Sequence, residues 1–349
     1  PVSYFIPNSE FTNFVFLEIL KRISTCYIED SCHLFPVSFV NIVSFLKSES
    51  SINKRSMSFL FKINKQSKDV DMIIKLLTLT NISNQSYDEF QKVCDNNPSY
   101  NSQLYDLSLV LIDIMKLNYD VNSLNVDFSH KIVEIFMLFT NWSIGNYLHK
   151  NSDTFIIRTQ NAFCDKNDLD NVPSYAKNFL NFSANYSFVN NTESNNLEHF
   201  SLGLSNYTHV TSPMRRIVDF INHIIIYSCL YNSIKIVPYE TINNINLDNI
   251  NETIKKQKKI SSSYQILKHI KSNNNIFNAC VLDHNIFNDV TFVLIVIYDE
   301  MYDFKKIINV ELPINHNINI NKFYQFKVQL FYNSINYRSS KFPFFIKIL

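Results

Sequence analysis

Glycine is almost missing from this chain: Gly145 and Gly203 are the two in 349 residues, where average usage of about 7% would supply roughly 24. Glycine-rich phosphate loops and dinucleotide fingerprints need several closely spaced glycines, so both are excluded. Long apolar runs are missing too. The longest near-continuous one, Val290 to Tyr298, is too short to cross a bilayer, and no membrane partner is expected. Neither sign of charge prevails: 32 basic residues meet 31 acidic ones, for a net charge of +1. That excludes a protein held to nucleic acid by bulk charge alone. The six cysteines (Cys26, Cys32, Cys94, Cys164, Cys229, Cys280) include no C-x-x-C pair. Free thiols in a reducing compartment, cytoplasmic or nuclear, are therefore expected, and a zinc site is not. The chain opens on Pro1 without a basic, apolar and small-residue leader pattern, and reads as either processed or, better, a fragment of something longer.

What is present suits a folded protein of about two domains. Apolar residues make up 46% of the chain and charged ones 18%, which excludes disorder. Charge is unevenly spread: residues 251–349 hold 13 Lys and Arg against 7 Asp and Glu. A basic C-terminal piece on a more acidic body points to a polyanionic partner. Glu10 to Ile23 reads as helical and Met57 to Ile63 as a strand. From Asp69 to Leu148 the pattern is mostly helical, best over Ser129 to Leu148, where Ile132, Ile135, Phe136, Phe139 and Ile144 fall on one face. Residues 164–174 and 187–198 are polar, Asn-rich and predicted to be loops. A helix is predicted over Pro213 to Leu230, with Met214, Ile217, Val218, Ile221, Ile224 and Ile225 as its apolar stripe. A second, about Asp248 to Ile270, carries Lys255, Lys256, Lys258, Lys259 and Lys268. After Asn275 come five short β-rich runs in about 75 residues, which suit a small barrel, naturally an OB-fold.

The segment Tyr207-Thr-His209-Val-Thr211-Ser212-Pro213-Met-Arg215-Arg216-Ile-Val-Asp219-Phe-Ile-Asn-His223 holds the most chemistry. Thr211 or Ser212 can cap a helix and Pro213 suits its first turn. Two arginines in that turn would oppose the helix dipole by about 0.3–1 kcal/mol each unless an anion compensates. Free N–H groups with two guanidinium forks form a phosphate cradle. An Arg215–Asp219 pair, with Arg216 on a buried acid, explains the same residues structurally. Both readings are open on the spacing alone. Asp219 and His223 stand four apart like a metal pair, but read better as structural. Asp69-Val-Asp71 and Asp165-x-x-Asp168-x-Asp170 read as solvated loops.

The same segment closely resembles the signature of the RNB family of exoribonucleases, which includes ribonuclease II, ribonuclease R and the catalytic subunit of the eukaryotic exosome. Other family-like stretches follow in order: Pro1-Val-Ser-Tyr-Phe-Ile6, Arg22-Ile-Ser-Thr-Cys-Tyr27, Leu34-Phe-Pro36, Lys54-Arg55-Ser-Met-Ser58, Ile132-Val-Glu134-x-x-Met137-x-x-x-Asn141, Phe155-Ile-Ile-Arg158 and Ala184-Asn-Tyr186. The resemblance implies an α+β fold: an RNB catalytic domain, a mixed sheet surrounded by helices, over residues 1–272, then a small OB-fold barrel over 273–349. It implies 3′→5′ hydrolysis of single-stranded RNA, processively, to nucleoside 5′-monophosphates. Arg215 matches the arginine that steadies the scissile phosphate. Tyr27 matches the aromatic residue that stacks on the terminal base; without the resemblance it reads as a core tyrosine. Glu134 matches a channel-facing helix carboxylate, with Asn141 on its face by spacing; pairing with a nearby Arg or Lys explains Glu134 structurally. Tyr207 and His209 are expected to line the channel beside the phosphate cradle of Ser212 and Arg216, and Lys255 and Lys259 to add a salt-dependent hold on RNA. A monomer is implied, and exosome-like partner proteins stay open.

The family's metal ligands, aspartates spaced D-x5-D-x-D-D that bind Mg²⁺ for hydrolysis, precede the point where this chain begins. Nothing within it replaces them. The usual glycine after His199-Phe is Ser201, the family's R-x-H reads Arg158-Thr-Gln160, and Lys259 stands about where a base-clamping glutamate is expected. Two functions follow: an exoribonuclease seen without its metal-binding segment, or a non-catalytic RNA-binding homologue.

Overall fold

The computed structural model describes residues 17–27, 31–43, 54–80, 83–117, 119–121, 124, 127–161, 184–190, 198–231, 242, 244–272, 276–287, 290–299, 304–313, 323–330 and 344–348. Two compact units divide at Lys256/Gln257.

In the first unit, a helical stretch over 17–22 and α1 (Val37–Val43) are followed by a ribbon of two antiparallel strands, β1 (Lys54–Ile63) and β2 (Val70–Leu79). The second strand corrects the helical expectation for this stretch. At its start, Asn64 Oδ1 accepts the N–H groups of Gln66 and Ser67 at 2.9 and 3.2 Å, forming a side-chain turn that reverses the chain. Pairing with β1 then decides in favour of a strand over an ambiguous apolar run. Three helices follow: α2 (Tyr87–Asn96), α3 (Pro98–Met115) and α4 (Phe128–Asn151). Ser86 and Glu89 close a reciprocal capping box on α2, and Asn97 caps α3 ahead of Pro98. Ile132, Ile135, Phe139 and Ile144 of α4 are buried as their spacing predicts.

After α4 the chain forms β3 (Thr154–Thr159), paired antiparallel with β4 (Asn185–Asn190). This corrects the loop expected from residue 187 onward: Tyr186, Phe188 and their neighbours alternate against a buried strand. The expected loop over 164–174 lies outside the described residues, as do Glu10 to Phe16 and Asp165 to Asp170. A small hairpin, β5 (Glu198–His199) and β6 (Leu204–Ser205), leads to α5 (Ile217–Leu230). Its turn needs Gly203, whose φ of 64° is left-handed. Residues 217–227 of α5 are buried all round, as befits a helix at the centre of a core. Ile156, Phe155 and Ile157 of β3, Leu34 and Phe35, and Ile217, Phe220, Ile221 and Ile224 of α5 share that core.

The N-terminus of α5 departs from expectation. Pro213–Arg215 form a turn, and the helix begins at Ile217 with Arg216 as its cap residue. Neither Thr211 nor Ser212 caps it. Ser212 acts instead through its carbonyl, which accepts the N–H groups of Arg215 and Arg216 at 3.1 Å each. The segment 23–26 runs alongside, with Ile217 N–H donating to Ile23 O and Thr25 N–H to Arg215 O, both at 2.9 Å.

α6 (Leu247–Ser272) crosses the division between the units. The second unit contains an antiparallel sheet of β7 (Ile276–Phe287), β8 (Val290–Asp299), β9 (Phe304–Pro313), β10 (Phe323–Leu330) and β11 (Phe344–Ile348). The strand order is β11-β10-β7-β8-β9, and the edge strands β9 and β11 also approach one another. Among the described residues no helix is long and apolar enough to cross a membrane.

Candidate RNA-binding site

The site is built where β3, α4 and α5 hold one irregular segment, Tyr207–Arg216. Thr208 bridges Ile157 beside β3, and Arg158 N–H donates to Tyr207 O at 2.7 Å. Two buried asparagines fix the segment's backbone. Asn141 of α4 accepts Val210 N–H at 3.0 Å and donates to Tyr207 Oη at 3.2 Å. Asn222 of α5 accepts Ile156 N–H at 3.1 Å and donates to Ile156 O, Thr208 Oγ1 and His209 O at 2.9, 2.7 and 3.2 Å. Buried amides keep such positions only with their hydrogen bonds made, and both are fully enclosed.

Close approach of the segment to α4 depends on Gly145. A Cβ there would lie 1.7 Å from Asn206 O, so the helix can seat the loop at this turn with no side chain between them.

The two arginines divide the work. Asp219 is fully enclosed and receives Arg216 twice, Nε to Oδ2 and Nη2 to Oδ1, each at 2.7 Å. Ser212 N–H adds a third bond at 2.7 Å. Burial opposes the Arg216 charge, but Asp219's attraction and hydrogen bonds outweigh it and hold Arg216 above its ordinary pKa. Arg216 is thus the arginine on a buried acid, and its partner lies three residues on. Arg215 is exposed, with its backbone pinned at both N–H and carbonyl. Its guanidinium has no hydrogen bond or ion pair among the described residues.

A third arginine lies beneath. Arg158 stands directly opposite Tyr186 in the β3–β4 register, its guanidinium 4.4 Å from the ring centroid, a cation–π pair. Burial lowers the Arg158 pKa. Burial also pushes the Tyr186 phenol up to about 12, so the phenol stays protonated and shares a hydrogen bond with His209 Nδ1 at 2.7 Å. His209 Nε2 has no hydrogen-bond partner among the described residues. Burial, then Arg216 and Arg158, hold His209 well below its usual pKa. The rings of His199 and His209 stand edge-on to Tyr207, each at 5.5 Å. The site therefore presents three arginines beside neutral imidazoles.

Of the other predicted residues, Tyr27 is 52% exposed and stands two positions beyond Thr25, which pairs with Arg215. The structure places it on the surface and not in the core. Glu134, two turns before Asn141 on α4, accepts from Lys131 Nζ and Tyr119 Oη at 3.1 Å each. Lys255 and Lys259 are exposed on α6. His223 is buried with Nε2 on Val210 O at 2.6 Å, so with Asp219 engaged by Arg216 the two do not form a metal pair. The spacing did not reveal the Arg158–Tyr186 pair, because the register of two strands 28 residues apart sets it. Alternation in residues 185–190 was the available signal.

Neutral imidazoles make a pH prediction. Burial lowers His199 to about 4 and depresses His209 and His223, against an unfolded value of about 6.5. Their contribution is complete above that unfolded value and is lost as pH falls through the folded one. The urea midpoint should be lower at pH 5 than at pH 7.5, and His199→Gln should flatten the difference. Equal midpoints would contradict the buried-neutral assignment.

Among the described residues, no three His, Cys, Asp or Glu side chains gather where they could hold a metal ion. The residues present do not fit the divalent site implied by the sequence resemblance.

A polar segment clamped by buried amides, with one arginine neutralised and its neighbour offered outward, leaves a guanidinium that can take up an anion. The RNB domain matches residues 2–232, and the chain belongs to the RNB family. Exoribonuclease 2 of Buchnera aphidicola subsp. Acyrthosiphon pisum (strain Tuc7) is 31% identical over an alignment that covers 33% of this chain and 22% of that protein. An active-site mutant of the Dss1 exoribonuclease from Candida glabrata shares the fold at a TM-score of 0.67 and 19% identity, over 90% of this chain and 46% of that one. Mycoplasma genitalium RNase R, in complex with ribose-methylated single-stranded RNA, gives 0.64 and 16%, over 93% and 62%. Yeast Ssd1, a pseudonuclease, gives 0.61 and 14%, over 85% and 43%. The chain thus spans about a fifth of the curated relative and under half of Dss1.

Proposed function

We propose that this chain is the RNA-holding part of a 3′→5′ exoribonuclease, which in its complete form hydrolyses single-stranded RNA processively to nucleoside 5′-monophosphates. The observation that carries this reading is Arg215: an exposed guanidinium on a doubly pinned backbone, beside an Arg216 already neutralised by Asp219. Arg215 contacts the phosphate nearest the RNA 3′ end, Tyr27 stacks on the terminal base, and His209 Nε2 hydrogen-bonds to a phosphate or ribose oxygen. Arg216, Ser212, Asn141 and Tyr207 hold the segment in place, while Glu134 borders the channel. Lys255 and Lys259 add phosphate contacts whose strength falls with salt. The five-stranded sheet is read as an OB-fold over 273–349, supported by its strand order and by the approach of its edges. Mg²⁺ belongs to the reaction of the complete protein. This chain's contribution is binding and positioning.

A second reading, a non-catalytic RNA-binding homologue, is favoured by the likeness to a pseudonuclease. End-labelled single-stranded RNA, incubated with the complete protein and Mg²⁺, separates the two. Mononucleotide release supports the nuclease, and binding without release supports the homologue. This chain alone should bind the RNA equally, within about twofold, with Mg²⁺ or with EDTA, and cleave nothing. An affinity that EDTA abolishes would contradict a metal-independent hold.

A further inference from the structure

Cys26 and Cys32 face one another across an isolated antiparallel bridge. Each N–H donates to the other's carbonyl at 2.9 Å, so the two residues are directly opposed. Directly opposed residues in such a hydrogen-bonded pair have Cα atoms about 5.5 Å apart, inside the range that a disulfide spans, and their side chains emerge on the same face. Both are free thiols here; Cys32 is exposed and Cys26 half-buried. Thr25 anchors the first arm of the bridge to Arg215 O and, through Oγ1, to Leu34 N–H on the second arm at 3.2 Å. The pair is therefore held in register by contacts on both sides, and the five residues it encloses begin with Tyr27.

We propose that Cys26 and Cys32 are a reversible modification site, oxidised by peroxide to a disulfide next to Tyr27. The Cys32 thiolate attacks hydrogen peroxide and becomes a sulfenic acid with loss of hydroxide. The Cys26 thiol then attacks that sulfur, forming the S–S bond and releasing water. Two thiols and one peroxide thus give one disulfide and two waters. Dithiol reductants reverse the step by exchange, readily so at an exposed bridge. The linkage ties Cys26, the residue that precedes Tyr27, covalently to the opposite arm of the bridge. On the reading that Tyr27 stacks on RNA, oxidation preorganises that contact.

The full chain is treated with a small excess of hydrogen peroxide and mapped as peptides without reduction. A Cys26–Cys32 linkage is expected, lost with dithiothreitol and missing from Cys32→Ser and from Cys26→Ser. Recovery of both residues as free thiols, as over-oxidised acids or in links between chains would overturn the proposal. Because the map is made on the wild-type chain, it does not depend on either variant folding. In parallel, a single-stranded oligoribonucleotide should bind the oxidised chain at least about threefold more tightly, and Cys32→Ser should show no such change. A formed linkage with unchanged affinity overturns the coupling to Tyr27. Reduced chain that fails to bind RNA at all instead overturns the proposed function, while the map still decides the disulfide.

Discussion

Arg216→Ala should lower the stability of the chain by about 3–5 kcal/mol, because it strands the fully enclosed Asp219 carboxylate with Ser212 N–H as its remaining hydrogen-bond donor among the described residues. A domain of this size loses roughly 2–4 °C per kcal/mol, so a fall in Tm on the order of 10 °C is expected. Arg216→Lys should recover part of this loss, since a single ammonium restores the charge but not the fork onto both carboxylate oxygens. Arg216→Met combined with Asp219→Leu should lie above Arg216→Ala, because removing both charges removes the uncompensated one. Arg215→Ala, one residue away, should leave Tm within about 1 °C, as an exposed side chain outside any such network contributes little. Equal losses for the two alanine variants, followed by thermal melts, would contradict the division of labour between them.

Gly145→Ala carries the second large effect. The added Cβ would sit 1.7 Å from Asn206 O, and the obstacle is backbone, so the 206–208 segment must retreat by well over an ångström. Alanine favours the helix itself by about 1 kcal/mol, but overpacking typically costs about 1–3 kcal/mol. Displacing the segment also strains the bonds of Asn141 and Asn222 to Tyr207, Thr208, His209 and Val210. A net loss of about 2 kcal/mol is expected, with single-stranded RNA affinity falling about tenfold. Unchanged melting and binding would mean that α4 and the loop do not meet at this point. Gly203→Ala offers a contrast. Nothing lies within 4 Å of its Cβ position, so the left-handed backbone alone costs about 1–2 kcal/mol, without reaching the arginines.

How legible the site was in the sequence depended on whether its contacts were local. Tyr207 through His223 is one continuous stretch, and its chemistry could be read along the chain. Even there an Arg215–Asp219 pair and a phosphate cradle stay open on spacing alone, and it is Arg216 that forks onto Asp219, because spacing does not reveal burial. The helices α4, α5 and α6 followed from periodicity, although α5 starts four residues later than predicted because Ser212 O holds a turn first. β2 reads as helical in the sequence because its run Val-Asp-Met-Ile-Ile-Lys-Leu-Leu suits either period until β1 pairs with it. The Arg158–Tyr186 stack, the Asn222 clamp and the Cys26–Cys32 opposition all depend on registers between distant segments. The residues themselves were in view. What the sequence could not supply was which of them meet.

On the proposed function, Arg215 is the guanidinium this fold keeps for RNA phosphate. Fluorescence anisotropy of a labelled single-stranded oligoribonucleotide, titrated with wild-type chain and with Arg215→Ala at matched salt, tests it most directly. A charge-assisted bond of about 1.5–3 kcal/mol predicts a loss of roughly 10- to 100-fold in affinity at unchanged Tm. Equal affinities for the two proteins would contradict it.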